Sequence, residues 1–126
     1  MPTCFIRRVV QSFSFGPTIE EISPQDALRG VQDGSVIIID VRESEEWAKS
    51  GTPQGSHRIS MNDANFGRVI GELLDNRPDA IAALSCTAGM RSKTAIKLLR
   101  KSGIESLKSV SGGINRWSVE DLPIDP

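Results

Sequence analysis

The sequence predicts an α/β domain with a central parallel sheet and helices on both faces, and three observations carry that expectation. Val36-Ile37-Ile38-Ile39 is an unbroken β-branched run of the kind found in parallel strands covered on both faces. Ile81 to Leu84 is a second short apolar run with the length and bounds of a buried strand. Between them, Phe66, Val69, Ile70, Leu73 and Leu74 hold the i, i+3, i+4, i+7, i+8 spacing of an amphipathic helix. Strands alternating with helices of this length need crossover connections, and crossovers make a parallel sheet.

Bulk properties set the limits. A chain of 126 residues is one domain, and 38% hydrophobic content with 25% charge is enough to bury a core without disulfide or metal staples. The formal net charge of −1 gives no basic excess that would argue for a nucleic-acid partner. No run approaches membrane-spanning length, so no membrane partner is expected. Cys4 and Cys86 form no CxxC pair and His57 is the single histidine, so neither a structural metal nor a cofactor is expected. Free cysteines in this pattern suit a reducing, cytoplasmic compartment.

Taken in order, residues 1–17 read as an N-terminal extension or edge strand, with Phe13 and Phe15 alternating onto one face before Gly16-Pro17. Cys4-Phe5-Ile6 is too short for the apolar core of a signal peptide. Residues 18–126 hold the domain. Its first helix is capped by Ser23, carries Pro24 at the first helical position and Asp26 near the positive end, and stops at Asp33-Gly34 with Ala27, Leu28 and Val31 as its buried stripe. After Asp40-Val41-Arg42, Glu43 to Trp47 reads as a short acidic helix ended by the Gly51/Pro53/Gly55 cluster, and Ser56 to Ser60 as a short strand. The helix through Phe66 is expected to be capped by Asn62 or Asp63. Gly67 and Gly71, one turn apart on it, each cost about 1 kcal/mol against alanine, which points to a close backbone approach as compensation. A helix from about Arg91 to Ser102, with Ala95, Ile96, Leu98 and Leu99 on one face, a strand near Leu107 to Val110 and a short helix around Trp117 complete the chain. Trp47 and Trp117 are expected as packing residues.

The chemistry is placed at Leu84-Ser85-Cys86-Thr87-Ala88-Gly89-Met90-Arg91-Ser92, where a strand delivers a cysteine into a small-residue turn that opens a helix. The carboxyl ends of strands in open α/β sheets face the ligand crevice, and the next helix's free N–H groups point into it. A free thiol titrates near ~8.5, and a helix N-terminus with an adjacent arginine can bring it to roughly 7 or lower. Ala88-Gly89 makes a tight turn easy, so successive N–H groups can form an anion-binding nest. Two readings of Cys86 stand side by side, a nucleophile in that nest and a small buried hydrophobe ending a strand. From Cys86 to Lys101 there are five basic residues and no acid. Arg91 and Lys93 fall in the first helical turn, where the dipole disfavours cations, so an anion in the loop is the expected compensation, with a solvated basic face as the alternative.

Asp40-Val41-Arg42-Glu43 followed by Glu46-Trp47, then Gly55-Ser56, Cys86 to Ser92, and Gly112-Gly113 followed by Arg116-Trp117 resemble the successive motifs of a single rhodanese domain, over roughly residues 18 to 122. The resemblance implies a sulfurtransferase in which Cys86 becomes a persulfide. The sulfur would come from a small donor such as thiosulfate and pass to cyanide or a thiol acceptor, small or protein-borne. It also implies that Thr87, Ala88, Gly89, Met90 and Arg91 form the sulfur-cradling loop, with Arg42 near the pocket. Two departures bear on this. Thr87 stands where many thiosulfate-using relatives carry a basic residue, which leaves the donor open, and Thr52 stands in place of the family's usual histidine. His57 lies elsewhere in that loop and reads as a surface residue. Asp40 is expected to anchor backbone or Arg42, and Arg42 to touch either substrate or a structural partner. Two alternatives remain. One is a binding or sulfur-carrier module without turnover. The other is a phosphatase or arsenate reductase, against which the Cys86 to Arg91 loop is one residue short of related phosphate-handling loops.

Overall fold

In the computed structural model of the chain, residues 18–126 are described. The expectations for the N-terminal extension, Phe13, Phe15 and Cys4 lie outside the described residues. The elements are β1 (Glu21–Ile22), α1 (Pro24–Asp33), β2 (Val36–Asp40), α2 (Ser44–Ser50), β3 (Thr52–Pro53) and β4 (His57–Arg58). There follow α3 (Phe66–Asn76), β5 (Ile81–Ser85), α4 (Met90–Lys101), β6 (Leu107–Val110), α5 (Gly113–Val119) and β7 (Ile124–Asp125).

Five strands form a parallel sheet in the order β1-β6-β5-β2-β4, and β3 pairs antiparallel with β7 beside it. The two apolar runs are its central strands. They pair in register from Val36 opposite Ile81 to Asp40 opposite Ser85, and all five residues of β2 are buried. Alternation across the pleat divides the core in two. Ile37, Ile39, Ala82 and Leu84 face α3 and α4, meeting Phe66, Ile70, Ala95, Ile96 and Leu99. Val36, Ile38, Ala83 and Val110 face α1 and α5, meeting Ala27, Ile114 and Trp117. The fold is therefore α/β with helices on both faces, as the alternation predicts.

Local signals explain most boundaries. Ser23 Oγ accepts from the Asp26 N–H at 3.1 Å and Gly34 closes α1 in the left-handed region. Trp117 is fully buried and its Nε1 donates to the Pro123 carbonyl at 2.8 Å, while half-buried Trp47 lies beneath the Arg58 guanidinium, 5.9 Å from the ring centroid. His57 is exposed on β4.

Three local expectations need correction. Neither Asn62 nor Asp63 caps α3. The Asp63 carboxylate instead accepts from the Asn65 N–H at 2.7 Å in a turn before the helix, and Asn62 Nδ2 donates to Glu43. Gly67 and Gly71 face no backbone, since a Cβ on them would meet only Leu99 Cδ2 at 3.8 Å and Ile104 Cδ1 at 3.9 Å. The close approach lies elsewhere, at Gly30, where a Cβ would fall 2.2 Å from Val36 Cγ2. Leu98 is 49% exposed and does not join the buried face of α4, because Ala95, Ile96 and Leu99 already span the contact with the sheet.

The carboxyl edge of the sheet gathers the residues the sequence singled out. Asp40 ends β2, Ser85 ends β5 beside it, and Cys86 follows at the centre of that edge.

Candidate active site

Cys86 emerges from the central strand and is 1% exposed. Two backbone donors point at its sulfur: the Gly89 N–H at 3.1 Å and the Ser92 N–H at 3.4 Å. The Ser92 hydroxyl lies 3.6 Å from Sγ and also contacts the Gly89 carbonyl at 3.0 Å and the Ser109 hydroxyl at 2.6 Å. The turn that converges these groups depends on Gly89, which caps α4 at φ 109°, a left-handed conformation that a side chain would strain.

The loop is held from behind by the last helix. The Ile114 N–H donates to the Cys86 carbonyl at 2.8 Å and the Asn115 N–H to the Thr87 carbonyl at 3.1 Å. This approach is possible because residue 113 is glycine: a Cβ there would lie 2.3 Å from the Cys86 oxygen and 2.7 Å from the Thr87 carbonyl carbon. With both carbonyls engaged by α5, the loop turns its N–H groups toward the sulfur.

Burial alone pushes the Cys86 thiol up. The Ser92 N–H, the Ser92 hydroxyl and the Gly89 and Ala88 N–H groups together more than offset it, so the thiol lies below its ordinary value. The arrangement favours a thiolate, and a bound anionic sulfur for the same reason.

Arg91 does not turn to the sulfur. Its Nη1 donates to Glu46 Oε1 at 2.8 Å and its Nη2 to Glu46 Oε2 at 2.7 Å, a two-pronged pair reaching across from α2. Nη2 also donates to Thr87 Oγ1 at 2.8 Å, and that hydroxyl donates to Glu46 Oε2 at 3.2 Å. Glu46 further accepts from the Glu43 N–H at 3.1 Å, closing a capping box on α2. Held by the Arg91 guanidinium, the Glu46 carboxyl titrates at about 2. The compensating anion expected inside the loop is thus a resident carboxylate from another element, and Lys93 likewise pairs with Glu21 at 2.7 Å.

Of the remaining loop positions, Thr87 is half-buried, Ala88 exposed and Met90 81% exposed. Arg42 is placed in the interior, 2% exposed and away from the loop surface. It donates to Asp40 Oδ1 and Oδ2, to Ser50 Oγ at 2.8 Å and to the Gly51 carbonyl at 2.7 Å. Asp40 also accepts from Thr52 Oγ1 at 2.6 Å. Of the two partners expected for Arg42, the structural one is present, and Asp40 is its anchor. Two roles at the site do not follow from the sequence. Ser92 closes the stretch in which the sequence places the chemistry, but its part as a donor to the sulfur is visible only in the structure. Glu46 reads from sequence as part of an acidic helix and of the Glu46-Trp47 motif, and nothing local to it indicates a partner 45 residues away.

Among the described residues, no group of three or more His, Cys, Asp or Glu side chains is placed to hold a metal, and no helix is long and apolar enough to cross a membrane.

Comparison with known proteins converges on one family. The family model for the rhodanese-like domain matches residues 23–120. The chain is 29% identical over 108 residues to thiosulfate sulfurtransferase GlpE of Glaesserella parasuis, covering 86% of this chain and 94% of that one. It is 34% identical over 93 residues to the tRNA uridine(34) hydroxylase of Synechococcus elongatus, covering 74% of this chain but 35% of that longer protein. Among solved structures, a rhodanese-related protein from Thermoplasma volcanium superposes with a TM-score of 0.66 at 26% identity, over 84% of this chain and 97% of that one. A cysteine at the end of the central strand, ringed by backbone donors, and this breadth of match together establish that the chain belongs to the rhodanese-like domain family.

Proposed function

We propose that this protein is a sulfurtransferase that moves sulfane sulfur through a persulfide on Cys86. One observation carries the reading: the convergence of the Gly89 and Ser92 N–H groups on Sγ at 3.1 and 3.4 Å, which keeps the thiol below its ordinary pKa despite burial. In the first half-reaction the Cys86 thiolate attacks the sulfane sulfur of a small donor such as thiosulfate or an organic persulfide. The donor's S–S bond breaks and its electron pair leaves with sulfite or a thiolate. In the second, cyanide or a thiolate, free or carried by a protein, attacks the outer sulfur of the Cys86 persulfide and returns the thiolate. Both intermediates are anionic sulfur, and the same N–H groups serve both. Thr87, Ala88, Gly89, Met90 and Arg91 form the loop, and Ser92 joins them as a donor. We place the reaction in a reducing, cytoplasmic setting, where a free thiol persists.

Phosphoryl transfer from the same cysteine is the weaker reading. It needs a proton donor for the leaving oxygen. The acid nearest the loop, Glu46, is fully ionised at neutral pH and bonded to Arg91, which in turn is withdrawn from any phosphate. A carrier without turnover would load sulfur but release it only to a bound partner.

The test is intact mass after incubation with thiosulfate, with mercaptopyruvate and with a small-thiol persulfide. Addition of one sulfur atom, removed by cyanide and absent in Cys86→Ser, is the expected outcome. If no donor loads Cys86, the reading fails; loading without turnover to cyanide or free thiol would identify a carrier.

A further inference from the structure

We propose that Glu46 selects the sulfur donor: by holding the Arg91 guanidinium it leaves the loop without a free positive charge and turns the site toward a thiol persulfide, which carries one negative charge at most, and away from a dianion such as thiosulfate. The inference rests on the sulfur-transfer reading and deepens it by naming the donor class.

The argument is one of charge placement. Thiosulfate brings two negative charges and leaves as sulfite with both, so its approach to a buried thiolate is favoured only where cations offset them. The first turns of the two helices that build the site carry Arg91 and Lys93 on α4 and Arg116 on α5. Each of these has its own carboxylate within 2.7 Å: Glu46, Glu21 and Glu120 respectively. All three pairs are partly exposed, and those with Glu21 and Glu120 are single contacts of the kind that is weak and easily exchanged. The Arg91–Glu46 pair differs, because it is two-pronged, tied to Thr87 Oγ1 on the loop itself and anchored by the Glu43 N–H. It therefore persists when a donor arrives, and the carboxylate at the loop repels a second anion as the nest accepts the first.

A thiol persulfide carries at most one negative charge and reacts as its protonated form, R–S–SH, which meets no such penalty. The Cys86 thiolate attacks its outer sulfur, the S–S bond breaks with its electron pair going to R–S⁻, and the proton carried over on the new Cys86 persulfide is lost to solvent, the loop N–H groups stabilising the anion left behind. One negative charge enters the step and one leaves, and the loop N–H groups face a single anion throughout. In the thiosulfate reaction the same attack releases sulfite, and three negative charges share the site.

The experiment measures kcat and KM for thiosulfate and for the persulfide of 2-mercaptoethanol, with cyanide as acceptor, in the unaltered protein and in Glu46→Gln, Arg91→Gln and Glu21→Gln. Glu46→Gln is expected to raise the thiosulfate-to-persulfide ratio of kcat/KM by on the order of tenfold, chiefly through a lower KM for thiosulfate. Arg91→Gln, which leaves the carboxylate unpaired, should move the ratio the other way, and Glu21→Gln should leave it unchanged. Added salt should raise kcat/KM for thiosulfate in the unaltered protein and lower it in Glu46→Gln. An unchanged ratio in both Glu46→Gln and Arg91→Gln, with Cys86 still loaded by either donor, would overturn the inference and leave sulfur transfer standing. If neither donor loads Cys86 in the unaltered protein, the inference falls together with the reading beneath it.

Discussion

The turns that leave β2 and β5 start side by side, at Asp40 and Ser85, and each carries an arginine paired to a carboxylate. They do opposite things. After β2, the Val41 N–H goes to the Ser85 carbonyl at 2.9 Å and the Arg42 N–H to Asp40 at 3.1 Å, and the arginine's side-chain bonds end on the Asp40 carboxylate, the Gly51 carbonyl and the Ser50 hydroxyl. After β5, carbonyls are drawn away by α5 and the N–H groups are left to a sulfur. The first turn is closed because its donors go to oxygen acceptors of the protein, and the second differs because its acceptor is a sulfur, a group that can ionise. Residue type does not separate the two turns; the destination of the backbone donors does.

This comparison is broken most severely from the β2 side. Arg42→Ala removes one partner of a buried ion pair and leaves Asp40 uncompensated at 0% exposure, which costs about 3–5 kcal/mol. Urea unfolding should show that loss, whereas KM for donor in the fraction that stays folded should hold. A rise in KM without a loss of stability would place Arg42 in the substrate path after all.

Ser92→Ala probes the β5 side. It removes the hydroxyl from the sulfur and from Ser109 while keeping the Ser92 N–H, and the alkylation midpoint of Cys86 is expected to move up. The sign follows from linkage. A thiol depressed in the folded state stabilises the fold above its unfolded pKa, and that stabilisation is lost as pH falls through the folded value. Alkaline stability should therefore drop in Ser92→Ala while stability at mildly acidic pH, where the sulfur is a thiol in both states, changes by the lost hydroxyl contacts alone. An unmoved midpoint would assign the depression to the N–H groups by themselves.

The smallest expected effect sharpens the contrast by touching neither turn. Gly67→Ala places a Cβ 3.8 Å from Leu99 Cδ2, an ordinary contact, and should raise stability by about 1 kcal/mol through helix propensity with sulfur loading unchanged. Thermal unfolding reads it directly, and a destabilised variant would show that α3 and α4 approach more tightly than that spacing allows.

These residues also mark what the sequence could show. Short-range chemistry was readable: the Ser23 cap, the β-branched run of β2 and the turn at Gly89 each depend on neighbours within a few positions. The glycines show where such reading stops. Gly67 and Gly71 drew attention by sitting in a helix, whereas Gly30 and Gly113, two of those with no room for a side chain, are defined by Val36 across the layer and by Cys86 across the sheet edge. Glu46 follows the same pattern. Its capping role is local and legible, but its pairing with Arg91 joins elements whose proximity exists only after β2 and β5 have aligned. The cysteine could be found from its strand and turn; the charge around it required the fold.

The grip of α5 on the Cys86 and Thr87 carbonyls ties reactivity to the order in which the chain is made. Residues 114 and 115, which supply those two bonds, emerge after the cysteine, the loop and all five strands of the parallel sheet. A nascent chain that has reached Val110 holds the complete sheet and still lacks the clamp that turns the loop donors inward. On the sulfur-transfer reading, docking of the last helix is the step that readies the cysteine, because it draws the two loop carbonyls away from the sulfur.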